Sequence, residues 1–203
     1  MQMEVTDQYL TVKKQGEGLY KEKGSKFISL AVHVETEDDV KESLLQIKKQ
    51  FHDARHHCFA YRLGLGEELF RSSDDGEPSG TAGKPILNQI YSYEMYHTLV
   101  VVVRYFGGTK LGVSGLVTAY KSAAREALES ADKEVRYLTA HIQLDLDYPL
   151  VDQILRFIRD EKLTIVEQDF GLRCKLILEV NLSQKKYVLS RFALWHEVEL
   201  KEL

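Results

Sequence analysis

An α+β chain in two domains is the fold class the sequence predicts, and three observations carry it. The run Leu99 to Val103 holds five residues without a polar side chain, four of them Val, and reads as a strand buried on both faces. A glycine-rich turn and a long helix of small and apolar residues follow it. Beyond a polar stretch at 131–136, the chain repeats strand and helix patterns in the order βαββαβ, that of a ferredoxin-like unit.

Taken in order, short β segments are expected at Tyr9 to Val12, Leu19 to Lys21 and Phe27 to Val34. Thr36 suits a helix N-cap, with Glu37, Asp38 and Asp39 in the first turn, and Val40, Leu44, Ile47 and Phe51 fall at helical spacing. Cys58 to Leu63 and Leu69 to Ser73 form a hairpin pair about a turn at Gly64 to Glu68. A helix from Pro85 to Tyr93 has Ile86, Leu87 and Ile90 on one face, with Pro85 suited to its first turn. The central strand Leu99 to Tyr105 precedes a helix from Gly112 to Ser130, whose packing stripe is Leu116, Tyr120, Ala123, Ala124, Ala127 and Leu128. Ala131 to Arg136 reads as a linker, dividing the chain into domains 1–135 and 136–203. In the second, Ala140 to Leu146 alternates as a strand, and Pro149 opens a helix through Arg159. Strands at Leu163 to Phe170 and Leu172 to Val180 flank Gly171, Ser183 caps a helix to Trp195, and Val198 to Leu200 ends the unit.

With 203 residues the chain can bury a sizeable core without disulfide or metal, and its two cysteines, Cys58 and Cys174, match no metal spacing. They read as reduced thiols. MQMEVTDQYL shows no basic start followed by an apolar run, no segment is long enough to span a bilayer, and the expected compartment is the cytoplasm. The balance of 27 Lys+Arg against 31 Asp+Glu, a net charge of −4, argues against a protein that coats nucleic acid through bulk charge. Any RNA contact must be local.

One local excess exists. Arg104, Lys110, Lys121 and Arg125 lie in a stretch without an acid, and Gly107, Gly108 and Gly112 shape the turn before the long helix. Free N–H groups at such a helix start favour anions, so these residues, extended by Lys84, form the expected phosphate-binding set. The competing reading is a solvated basic helix edge. A second concentrated feature is the loop Asp74 to Pro85, where Asp74, Asp75 and Glu77 stand beside the hydroxyls of Ser79 and Thr81. Such carboxylates suit a hard cation or a general base, and the same residue types also suit an ordinary turn. Gly83-Lys84 is not a P-loop, because Pro78 and Pro85 occupy positions that need Gly and Ser or Thr, and the glycines after the central strand lack dinucleotide-fingerprint spacing. His52, His56, His57 and Cys58 crowd into seven residues, but neighbours on a strand point to opposite faces, so packing is favoured over zinc. No metal or cofactor is expected.

The blocks DDGEPSGTAGKP and Arg104-Tyr105-Phe106-Gly107-Gly108 with Leu111-Gly112, joined through Ile86, Leu87, Ile90, Met95 and the Val run, resemble the IMPACT family, the YigZ-like proteins of bacteria. The resemblance covers nearly the whole chain. It implies an N-terminal domain similar to domain IV of elongation factor G, with a ribosomal-protein-like βαβ fold, and a ferredoxin-like C-terminal domain similar to domain V of that factor. In eukaryotic relatives the first domain opposes an activator of a starvation-responsive initiation-factor kinase, but beside a different second module. What the resemblance implies for this chain is association with RNA, the ribosome or another part of the translation machinery, without catalytic residues to transfer. The leading expectation is therefore a non-catalytic modulator of translation that binds RNA or a ribosomal component. Its rivals are an enzyme acting on a phosphorylated small molecule at the glycine turn and acidic loop, and a module for a protein partner. No membrane partner is expected.

Overall fold

A computed structural model describes residues 7–65 and 69–203, which form two compact units. One unit is Tyr9–Arg136; the other is 137–203 together with Asp7 and Gln8 at the start of the chain. The fold is α+β, with antiparallel pairing throughout the two larger sheets. Among the described residues no helix is long and apolar enough to cross a membrane.

In the first unit the strands are β1 (Gln8–Lys14), β2 (Gly16–Glu22), β3 (Ser25–His33), β4 (His56–Leu63), β5 (Leu69–Ser73), β6 (Thr98–Tyr105) and β7 (Asp132–Tyr137); the helices are α1 (Glu37–Gln50), α2 (Gly83–Ser92) and α3 (Gly112–Ser130). Five of the strands make one sheet in the order β2-β3-β6-β4-β5. The apolar run of β6 follows from its central place. Val100 and Val102 face a core with Ile86 and Ile90 of α2 and Tyr120 and Ala123 of α3, while Leu99, Val101 and Val103 face Val40 and Ile47 of α1. Both faces are covered, so neither parity of side chain can be polar.

Thr36 caps α1 as its chemistry requires. Its hydroxyl accepts from the Asp39 N–H and the Asp39 carboxylate accepts from the Thr36 N–H, a reciprocal box that satisfies two orphan donors. α2 begins at Gly83, two residues before the predicted start, because the Ala82 and Gly83 N–H groups are held by the Asp74 carboxylate. Pro85 then sits in the first turn, where its missing N–H costs nothing. The predicted linker is a correction: 132–137 is β7, which pairs with β1 in a two-stranded sheet. The turn read at Gly64 to Glu68 lies partly outside the described residues, as do the first six residues of the chain.

The second unit contains β8 (Thr139–Leu146), α4 (Val151–Asp160) after a 3-10 turn at Tyr148–Leu150, β9 (Thr164–Phe170), β10 (Cys174–Asn181), α5 (Lys185–Phe192) and β11 (Glu199–Glu202). Its sheet order, β11-β8-β10-β9, is the ferredoxin-like order the βαββαβ pattern predicts. Ile142, Leu144, Leu146, Leu176 and Leu178 bury one face of that sheet against Ile154, Phe157 and Phe192, with Trp195 packed on their edge. Ser183 does not cap α5, which starts at Lys185; its N–H instead donates to the Asp7 carboxylate at 3.0 Å.

Candidate functional site

The acidic loop and the glycine turn after β6 converge, and they do so by closing on each other. Arg104 points inward from the end of β6. Its Nη1 donates to Glu77 Oε1 at 2.6 Å, with the two side chains only 7 % and 4 % exposed. The Tyr120 hydroxyl of α3 donates to the same oxygen at 2.9 Å, and the guanidinium lies near the rings of Phe27 and Phe106, 5.4 and 5.6 Å from their centroids. Arg104 is thus the internal partner of a loop carboxylate, not a mobile cation beside the turn, and it leaves the expected phosphate-binding set.

The other loop acids are also engaged. The Asp74 carboxylate accepts from the N–H groups of Gly80, Ala82 and Gly83 at 2.8, 2.9 and 2.8 Å, and Asp75 Oδ2 accepts from the His57 N–H at 2.7 Å. The Thr81 hydroxyl turns inward to the Pro78 carbonyl at 2.7 Å, and Ser79 stays exposed. Burial opposes the charge of Asp74, yet its three backbone donors outweigh that and hold its carboxyl below the ordinary value. A folded-state value below the unfolded one gives stability that is complete above about pH 4 and is lost as pH falls through the folded-state value. Asp74→Asn should therefore lower the urea midpoint at pH 7 and flatten the acid limb of a stability profile below about pH 4. Acid limbs that run parallel in variant and wild type would refute this role.

The histidine cluster is packing. The His56 Nδ1–H donates to the Asp75 carbonyl, while His57 Nε2 meets the Phe51 carbonyl on the opposite face of β4. Cys58 is fully buried, its thiol donating to the Asp74 carbonyl at 3.0 Å and lying 3.3 Å from the Tyr120 hydroxyl. Burial pushes the thiol up to about 12, so it is protonated at neutral pH. Among the described residues no group of three or more His, Cys, Asp or Glu side chains is placed to hold a metal ion.

Beyond this closed network, the remaining basic residues lie on an open surface. Lys110, Gly112, Val113 and Ser114 are exposed at the start of α3, and no side chain caps that end, so the orphan N–H groups of its first turn face outward. Gly108 and Gly112 adopt φ of +86° and +74° with open space around them, as the turn requires of residues without Cβ. Gly107 is different: a Cβ there would lie 1.9 Å from the Gly24 carbonyl carbon, and its N–H donates to Ser25 Oγ at 3.2 Å. Its glycine is a packing requirement between β3 and the turn.

Lys84 of α2 and Lys121 of α3 line one depression of about 340 Å³, with Gly80, Pro85, Asn88, Gln89 and Val117. Arg125 lies one turn beyond Lys121, 3.8 Å from Glu129. No acid occurs from Pro78 to Tyr93 or from Met95 to Arg125, so the surface formed by α2 and the first turns of α3 carries positive charge without internal compensation. Sequence reasoning found these lysines but missed the roles of Ser25, which holds the Gly107 N–H, and of the Tyr120 hydroxyl, which donates to Glu77, because both depend on contacts distant in the chain.

The profile described as the Impact N-terminal domain matches residues 23–128, which contain both the closed network and the basic surface. The IMPACT family member YvyE of Bacillus subtilis is 37 % identical over 159 residues, 78 % of this chain and 73 % of the relative. The IMPACT family member YigZ of Escherichia coli is 36 % identical over 128 residues, 62 % of this chain and 63 % of the relative. A crystal structure titled as that of a hypothetical protein superposes with a TM-score of 0.71 at 26 % identity, covering 98 % of both chains.

Proposed function

Since the chain belongs to the IMPACT family, we propose that it acts in translation by binding RNA or a ribosomal component, without catalysis, through the basic surface of α2 and α3. The observation that carries this reading is the acid-free surface on which Lys84 and Lys121 meet at one depression while Lys110 stands at the uncapped start of α3. A negatively charged protein that binds RNA must do so through a patch of this kind, because its overall field repels the polyanion. Against catalysis at the neighbouring loop stands the engagement of Asp74, Asp75 and Glu77 in internal hydrogen bonds, which leaves none of the three poised as a base.

Phosphate contacts predict a particular pattern. Replacing Lys84 and Lys121 by Ala should weaken binding to single-stranded RNA about equally across sequences, and reduce the slope of log K against log salt by about 1 per lysine. Fluorescence anisotropy over a salt series measures both. An unchanged slope in the double variant would remove the surface from the RNA contact.

A further inference from the structure

Side chains from separate parts of the first unit meet at the Glu35 carboxylate, just ahead of α1. His33 Nε2 of β3 lies 2.7 Å from Glu35 Oε1, and Arg136 Nη1 of β7 donates to that same oxygen at 3.0 Å. The same Nη1 is 2.8 Å from His33 Nε2, so the three atoms form a closed triangle. The other ring nitrogen decides how the triangle is wired. The Thr11 hydroxyl of β1 donates to the His97 carbonyl at 3.2 Å, and so it accepts the His33 Nδ1 proton at 2.7 Å. A neutral His33 thus carries its one proton on Nδ1 and offers Nε2 to the Arg136 N–H. A protonated His33 carries a second proton on Nε2, which Glu35 Oε1 accepts and which the Arg136 N–H opposes. One nitrogen cannot accept from Arg136 and donate to Glu35 at once.

The other groups facing the triangle leave this choice to His33. His97, which precedes β6, has Nδ1 3.0 Å from Glu35 Oε2, and its Nε2 is buried without a hydrogen-bond partner among the described residues. Burial disfavours the His97 cation and holds its value down, with Glu35 opposing that only in part. Tyr9 of β1 faces Glu35 and Arg136, its ring 4.9 Å from that of His97. On α1, the Asp39 carboxylate is committed to the N–H groups of Glu35 and Thr36, and Glu42 lines the recess beside His33. Glu134 of β7 accepts from Arg136 Nε at 2.7 Å.

We propose that His33 is a proton switch on the anchorage of β7: protonation pairs it with Glu35 and displaces Arg136, so that acid loosens the last strand of this unit. Arg136 is the member that yields, because its side chain is 39 % exposed and keeps Glu134 as a partner, whereas His33 is held from its other edge by Thr11. The inference stands apart from the RNA-binding reading and uses none of its residues.

The test follows the whole chain by NMR from about pH 8 to about pH 5, a span that brackets the ordinary histidine value. The His33 ring and the Arg136 guanidinium resonances should move along one titration curve. Across it, the exchange protection of the β7 backbone N–H groups, corrected for intrinsic rates, should fall about fivefold, the worth of one half-exposed ion pair. His33→Gln, which stays neutral, should keep β7 protection level over the whole span. Arg136→Gln should leave His33 titrating but remove the step in β7. Titration of His33 with Arg136 and β7 unmoved would overturn the switch, as would a step in β7 that survives in His33→Gln or follows the His97 ring. Should His33→Gln fail to fold, the wild-type titration curves decide the matter alone.

Discussion

Glu77→Ala should cost the protein about 3–5 kcal/mol of folding stability, the loss typical when one partner of a buried ion pair is removed. Two groups depend on Glu77. Arg104 would keep a buried guanidinium with one marginal hydrogen bond left, to Ser25 Oγ at 3.5 Å, and the Tyr120 hydroxyl would lose its acceptor. Arg104 Nε already lacks a partner, so the site has no spare acceptor to take over the charge. Urea unfolding should show a lower midpoint with the slope unchanged. The double variant Glu77→Ala/Arg104→Met should lose less than Glu77→Ala alone, because it removes the stranded charge. A loss below about 1 kcal/mol for Glu77→Ala would mean the pair is solvated, contrary to its burial.

Gly107→Ala should be the most damaging glycine replacement in the turn. The added methyl would meet backbone, with the Gly24 carbonyl carbon at 1.9 Å and the Ser25 nitrogen at 2.1 Å, so no side-chain rotation relieves it. The chain would have to separate the start of β3 from the end of β6, where Ser25 holds the Gly107 N–H. Overpacking of this kind costs about 1–3 kcal/mol when side chains can adjust, and a backbone clash should reach or exceed the upper end. Gly108→Ala is the control, since its position is open and the strain of positive φ costs about 1–2 kcal/mol. Thermal unfolding should rank Gly107→Ala clearly below Gly108→Ala; equal losses would contradict the packing role.

How much the sequence reveals depends on whether a signal is local. The Thr36 cap, the apolar run of β6 and the span of α3 are written in neighbouring residues, and each forms as expected. The ferredoxin-like order is likewise legible, because its six elements follow one another in the chain. β7 is not, since Asp132–Tyr137 is rich in charge and becomes a strand by pairing with β1 at the far end of the unit. Arg104 illustrates the same limit at the site. Beside a glycine turn it looks like an anion ligand, and only folding brings Glu77, 27 residues upstream, to neutralise it. Gln89 carries no apolar signal and so falls outside the stripe Ile86, Leu87 and Ile90, although it is nearly as buried as they are. Lys84 and Lys121 were legible as cations, but their meeting at one depression depends on how α2 packs beside α3.

The central claim is that this surface joins the protein to RNA of the translation machinery, and co-sedimentation with ribosomes and separated subunits tests it most directly. The wild-type chain should travel with a ribosomal fraction at low salt and be released as salt rises, while Lys84→Ala/Lys121→Ala, folded to the same thermal midpoint, should remain largely in the supernatant. Equal sedimentation of the double variant and the wild type, or no sedimentation of the wild type at low salt, would contradict the claim.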